Sequence, residues 1–216
     1  MNILTLYHGS SEIIERPVFG KGKIYNDYGQ GFYCTEHVEL AKEWACTEGV
    51  DGYVNKYELD MTDLNVLNLA DDEYNILHWL ALLVTYRKLR ISTPLMKKSK
   101  EWLEEKFSID VSQYDVIVGY RADDSYFSFA RAFLNNEISL KQLNYAMSLG
   151  ELGEQVVLKS SNAFERMKFV SCKTVDSGIY YVKRKSRDEQ ARKQYYMELE
   201  NEDLNGLYIR DIMRKE

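Results

Sequence analysis

Tyr33 and Trp44 stand eleven residues apart, with Gly29 and Gly31 just ahead of the first and His8 at the end of an earlier apolar run. Two flat aromatic faces at the ends of neighbouring elements can flank one cleft, and the guest such a cleft suits is planar. A second polar pair, Glu154 and Gln155, opens the late apolar run Val156-Val157-Leu158. Strand alternation sends adjacent side chains to opposite faces, so only one of the two can face a given cleft. A carboxylate there brings charge; an amide brings only hydrogen bonds.

These residues need elements to hold them. The two glycines relieve backbone clashes ahead of Phe32, Tyr33, Cys34 and Thr35, a short β-prone run. From Glu36 the period changes, and Val38, Leu40, Ala41, Trp44 and Ala45 fall at helical spacing, with Thr35 placed to cap the first free N–H groups. Upstream, Asn2 to Tyr7 alternates and predicts a strand that delivers His8 and Gly9 to its end. Between the two strands, Glu12 to Tyr28 carries Pro17, Gly20 and Gly22 without a sustained period. That predicts a loop long enough to fold over a site.

Further on, Gly52 to Leu59 and Leu64 to Leu69 read as strands. A helical insertion is expected over about 71–112, its second helix started by Pro94, before the buried strand Asp115 to Tyr120. Ser125 to Asn135 and Ser139 to Leu149 read as helices, Gln155 to Lys159 as a strand, and Ser161 to Phe169 as a helix capped by Ser160 or Ser161. A charged surface helix is expected over about 186–202. The 216 residues carry no repeat or low-complexity linker, so a single domain, 1–216, is expected.

Hydrophobic residues at 45% and charged ones at 29% exclude a largely disordered chain. The net charge of -6 argues against broad, non-specific binding to nucleic acid and leaves room only for a local basic patch. Cys34, Cys46 and Cys172 match no zinc spacing and cannot all pair, which fits a reducing compartment and predicts a cytoplasmic location. The start of the chain lacks signal-peptide character, and the most apolar window, Ile76 to Val84, is too short to span a bilayer.

Several common sites are not supported. Gly29-Gln30-Gly31 lacks the third glycine of a dinucleotide fold, and no phosphate-loop lysine motif occurs. His8, His37 and His78 are too scattered for a metal site, and Asp123-Asp124 reads as a turn or cap before it reads as a cation site. No metal is expected.

The remaining blocks form an ordered set. The segment GQGFYCTEHVELAKEWA, from Gly29, resembles the glycine, aromatic, tyrosine and helix signature of the ADP-ribosyltransferase superfamily in its diphtheria-toxin and poly(ADP-ribose)-polymerase-like branch. More narrowly, YHGS, YNDYGQGFYCT, GYRADDSYF and LGEQVVLKS together resemble a bacterial family of uncharacterised ADP-ribosyltransferase-like proteins, catalogued as a domain of unknown function. The narrower resemblance covers most of the chain. It implies an α+β fold, a split and mainly antiparallel β-sandwich of the ADP-ribosyltransferase type with a helical insertion, clasping NAD as co-substrate.

The resemblance also implies a catalytic set of His8, Tyr33 and a third residue, either Gln155 or Glu154. The narrower family keeps glutamine immediately before the apolar run, which selects Gln155, the preferred assignment; the polymerase pattern selects Glu154. Around NAD the resemblance places His8, the backbone of Gly9, Tyr33 and Trp44, with Ser10 and Thr35 as neighbouring polar contacts; by residue type alone, Arg121, with Asp123, Asp124 and Tyr126, reads either as a contact to NAD or target or as an ion-pair network beside the cleft. In that chemistry His8 donates to a ribose hydroxyl, the aromatic pair stacks nicotinamide, and an oxocarbenium-like centre forms as the sugar bond breaks. Cys34 has no histidine–asparagine partner pattern and is not expected to act as a nucleophile.

The implied function is mono-ADP-ribosylation of an intracellular protein or nucleic-acid target by a transferase, with a toxin neutralised by a small antitoxin protein as a setting by analogy. A rival from another class is a non-catalytic module that binds NAD or ADP-ribose. A third is an RNA-directed enzyme of similar architecture, whose cue would be a cleft lined by arginine and lysine.

Overall fold

The computed structural model describes residues 2–122, 124–148 and 154–215. The chain opens with β1 (Ile3–Ser10), and the loop to residue 28 then leads to β2 (Phe32–Cys34), α1 (Val38–Ala45) and β3 (Gly52–Asp60). β1 runs past Tyr7 because β3 pairs with it antiparallel along its whole length, from Ile3 opposite Asp60 to Ser10 opposite Tyr53. Backbone pairing therefore carries His8 inside the strand. Thr35 does not cap α1: its Oγ1 accepts the His37 N–H at 3.1 Å, and the helix starts at Val38 with no side-chain cap.

β4 (Val66–Asn68) and β5 (Val116–Tyr120) pair in parallel, the exception to an otherwise antiparallel architecture. Parallel neighbours need a crossover, and α2 (Ile76–Tyr86) with α3 (Pro94–Lys106) supplies it. Their caps follow from sequence. Asn75 and His78 form a capping box on α2, and the Thr93 hydroxyl accepts the Met96 N–H at 3.0 Å ahead of Pro94. Trp79, Leu80, Leu83, Met96 and Leu103 are fully buried, so the expected insertion is part of the main core.

α4 (Asp124–Leu134) and α5 (Leu140–Ser148) precede β6 (Glu154–Leu158) and the short α6 (Ser161–Glu165), which Ser160 caps through Ala163 N–H at 3.1 Å. The expected helix to Phe169 is overturned here. Met167–Val175 is instead a strand, β7, followed by α7 (Ser177–Glu200) and α8 (Ile209–Lys215). The charged helix thus begins nine residues before the expected Ser186. β7 is an edge strand with mostly exposed or half-exposed side chains, so its alternation is weak and β3 templates it.

The strands form two sheets, ordered β1-β3-β7 and β2-β6-β5-β4. Leu6 and Leu59 of the first and Cys34, Val116, Val156 and Leu158 of the second share one buried cluster, so the sheets face each other. On the far side of the second sheet, Ile117 and Val157 join the core of α2 to α5; on the far side of the first, Val54 and Val175 meet Ala41 and Ala45 of α1. Period-2 alternation explains the layering. Tyr7 and Thr35 exchange backbone hydrogen bonds of 2.8 and 3.0 Å, joining the sheets at one edge beside His8. The fold class is α+β, and no described helix is long and apolar enough to cross a membrane.

Candidate functional site

A cavity of about 1350 Å³ opens where the two sheets, α1, α7 and the loop before β2 meet. His8 and Gly9 from β1, Tyr33 from β2, Trp44 from α1, Gln155 from β6 and Arg121 just after β5 all line it. Glycine is required at the close approach of α1 to the first sheet. A Cβ on Gly9 would sit 1.9 Å from the Ala41 carbonyl oxygen, and one on Gly52 would sit 2.0 Å from that of Ala45. This contact seats Trp44 over the strand that carries His8.

The Nδ1–H of His8 donates to the Tyr33 carbonyl at 2.7 Å, which fixes the tautomer and leaves Nε2 as an acceptor in the neutral ring. Burial pulls the ring's pKa below its ordinary value, against the opposing effect of that carbonyl. In the neutral ring His8 therefore offers an acceptor through Nε2, and the donation expected of it would require the protonated ring. Phe32 packs on the ring at 4.3 Å between centroids.

The Tyr33 hydroxyl donates to Gly29 O at 2.6 Å and accepts from Tyr28 N–H at 3.0 Å, and burial raises its pKa well above the usual phenol range. The phenol is a buried brace, with no proton to move at neutral pH. Trp44 offers less than a free stacking face, because the Arg121 guanidinium lies over its ring at 4.3 Å. Its Nε1–H is buried and meets no acceptor among the described residues.

Gln155 is 4% exposed and lines the cavity, while its neighbour Glu154 points outward and is exposed. Ser10 and Thr35 also lie off the cavity lining: the Ser10 hydroxyl bonds Glu12 O, and Thr35 is fully buried beneath the strand ends. Cys34 is likewise enclosed, and burial pushes its thiol pKa far above the ordinary range. Asp123 and the side chains of Asp124 and Tyr126 lie outside the described residues.

Sequence reasoning missed Asp27. It is 4% exposed and accepts from Gln155 Nε2 at 2.8 Å, Ala122 N–H at 2.9 Å and Arg87 at 3.0 Å. Burial raises its pKa, and those three donors together with the Arg121 charge oppose the rise. The only signal was its place inside YNDYGQGFYCT, since a loop residue has no periodicity to betray burial.

The loop is tied down at both ends. Asn55, fully buried in β3, accepts the Ile14 N–H at 3.0 Å and donates to Glu12 O at 3.2 Å. At the other end Lys159 Nζ donates to the carbonyls of Tyr28 and Gln30 at 2.7 and 2.6 Å, and desolvation lowers its pKa to about 8. The Tyr28 hydroxyl then donates to Tyr120 O at 2.6 Å, a contact that requires Gly119, whose Cβ would lie 2.5 Å from the Tyr28 hydroxyl oxygen. Loop, β5 and β6 are locked around Asp27.

Comparison with curated proteins and with solved structures found no match. Residues 4–169, spanning β1 into β7 and including the braced loop, match the sequence model of the protein family of unknown function DUF3990, and the chain belongs to that family.

Proposed function

We propose that this chain is an NAD-dependent mono-ADP-ribosyltransferase acting on an intracellular macromolecule. The observation that carries the proposal is the convergence of His8, Gly9, Tyr33, Trp44 and Gln155, from four separate elements, on one cavity. NAD, when bound, supplies the ADP-ribosyl group and nicotinamide as leaving group. His8 Nε2 accepts a ribose hydroxyl proton and orients the sugar, and the braced Tyr33 ring offers a face to a planar group. Gln155 Oε1, with the Asp27 charge behind its amide, faces the positive charge that develops at the reacting carbon. The Trp44 Nε1–H, a donor with no acceptor among the described residues, is buried behind the same lining.

An amide in place of a carboxylate supports single transfer over chain elongation. It also favours one second reading, a module that binds NAD without cleaving it. A toxin held in check by a small antitoxin protein is the setting that the resemblance suggests.

Release of nicotinamide from NAD by the purified protein tests the proposal. His8→Ala and Gln155→Ala are expected to lower release at least tenfold, and Glu154→Ala to leave it within twofold. NAD binding without release by the wild type favours the binding module; absence of both removes NAD from the account.

A further inference from the structure

Two walls of the cavity take no part in the chemistry proposed above. One is the loop segment from Arg16 to Tyr25, which carries Arg16, Lys21 and Lys23 and no carboxylate. The other is α7, which contributes Arg184 and Lys185, with Arg192 held by Asp188 further along. In a chain of net charge -6, eight Lys and Arg side chains line this cavity against five Asp and Glu. Asp27 and Asp188 are already engaged by arginines, so the local field is strongly positive. Arg16, Lys21, Lys23, Arg184 and Lys185 form no ion pair among the described residues.

Two aromatic side chains of the same loop segment lie exposed beside the cavity, outside its lining. Phe19 is 55% and Tyr25 51% exposed, and Lys88 Nζ sits 4.0 Å over the Tyr25 ring. Phe19 meets Phe164 edge-on at 5.6 Å between centroids, and half-exposed rings interleaved with cations hold bases by their faces and phosphates by their charge. A dinucleotide's diphosphate needs few of these cations, and they come from two separate elements of the lining. The cavity also exceeds the roughly 300–1,000 Å³ of ordinary small-molecule sites. α7, which carries the second basic wall, lies beyond residues 4–169 matched to the family model.

We infer that a single-stranded nucleic acid docks between these walls and is the acceptor, an inference that rests on the transferase reading for the second part only. An acidic protein partner would leave Phe19 and Tyr25 without a purpose, and a duplex has no free base faces to give them. In the transfer, the bond from ribose C1′ to nicotinamide breaks and its electron pair leaves with nicotinamide. A lone pair on a nitrogen or oxygen of the strand forms the new bond to C1′, and the proton on that atom passes to solvent.

The test uses the full chain with fluorescein-labelled single-stranded RNA and DNA oligonucleotides of mixed sequence. Anisotropy without NAD is expected to report binding that weakens with salt. The double variants Lys21→Glu/Lys23→Glu and Arg184→Glu/Lys185→Glu should each bind at least tenfold more weakly, with the log–log salt slope shallower by about 1.4. Nicotinamide release without oligonucleotide should stay within twofold of wild type, and with NAD the oligonucleotide should gain the mass of one ADP-ribosyl group.

No binding at low salt, or binding untouched by both reversals, overturns the inference. So does parallel loss of NAD cleavage, which would assign the walls to the dinucleotide, or preferential modification of poly-glutamate. Oligonucleotide binding with the expected salt and variant dependence, but with no NAD cleavage, upholds the surface and removes only the transferase reading.

Discussion

Gln155 donates its side-chain N–H to the carboxylate of Asp27 at 2.8 Å, a strand residue reaching a loop residue 128 positions earlier in the chain. A carboxylate only accepts, so the contact fixes which end of the amide carries oxygen and leaves Oε1 as the remaining acceptor. The same carboxylate holds Arg87 and the Ala122 N–H. One buried charge thus orders an amide, a guanidinium and the turn after β5.

Asp27→Ala removes all three contacts and leaves the Arg87 charge partly buried without its carboxylate. A loss of about 3 kcal/mol is expected from urea unfolding, the range found when one partner of a buried pair is deleted. Asp27→Asn keeps an acceptor oxygen and should cost less. Equal stability of Asp27→Ala and wild type would mean that the triple contact contributes nothing.

His8 links stability to pH. Its folded pKa lies below the ordinary value of 6.5 because the ring is buried, so below pH 6.5 the unfolded chain binds the proton more readily than the native one. The stabilisation from this group is complete above pH 6.5 and is lost as pH falls through the folded pKa. His8→Gln should flatten the acid limb of the unfolding free energy between pH 6.5 and 5, and NMR of the imidazole should place the native titration below that of an unfolded peptide. A native titration above 6.5 would contradict the buried neutral ring.

Gly9→Ala and Gly52→Ala each drive a methyl into the backbone of α1, at 1.9 and 2.0 Å. A helix backbone cannot yield as a flexible side chain does, and a cost of about 3 kcal/mol is expected for each. For a chain of this size that lowers the midpoint of thermal unfolding by roughly 6–12 °C. Gly49→Ala meets open space and pays only for its left-handed φ of 68°, about 1 kcal/mol. A melt in which the three variants coincide would remove the steric argument.

Much of the frame was legible from local pattern. The alternation around Leu6 and Val54, the helical spacing from Val38 and the Thr93-Pro94 start of α3 all record contacts made within a few residues, where period and capping chemistry leave a direct trace. Tyr33 and Trp44 were singled out by type and spacing, while Gly9 and the choice of Gln155 over Glu154 came from the resemblance of the ordered blocks. β7 left a weak trace because an edge strand buries little, and the first turns of α7 did so because only Ser177 and Ala191 of that helix are fully enclosed.

Tertiary structure decided the rest, and the physical reason is the same in each case. Whether Glu154 or Gln155 faces inward depends on register against β5, where Gln155 stands opposite Gly119 and Glu154 opposite Tyr120. Asp27 became a site residue because Lys159 and the buried Asn55 hold both ends of an aperiodic loop in place. The Trp44 face was claimed by Arg121, a cation 77 residues away. Sequence fixes what a residue can offer; long-range pairing fixes which partner receives it, because burial and charge act through space without regard to chain separation.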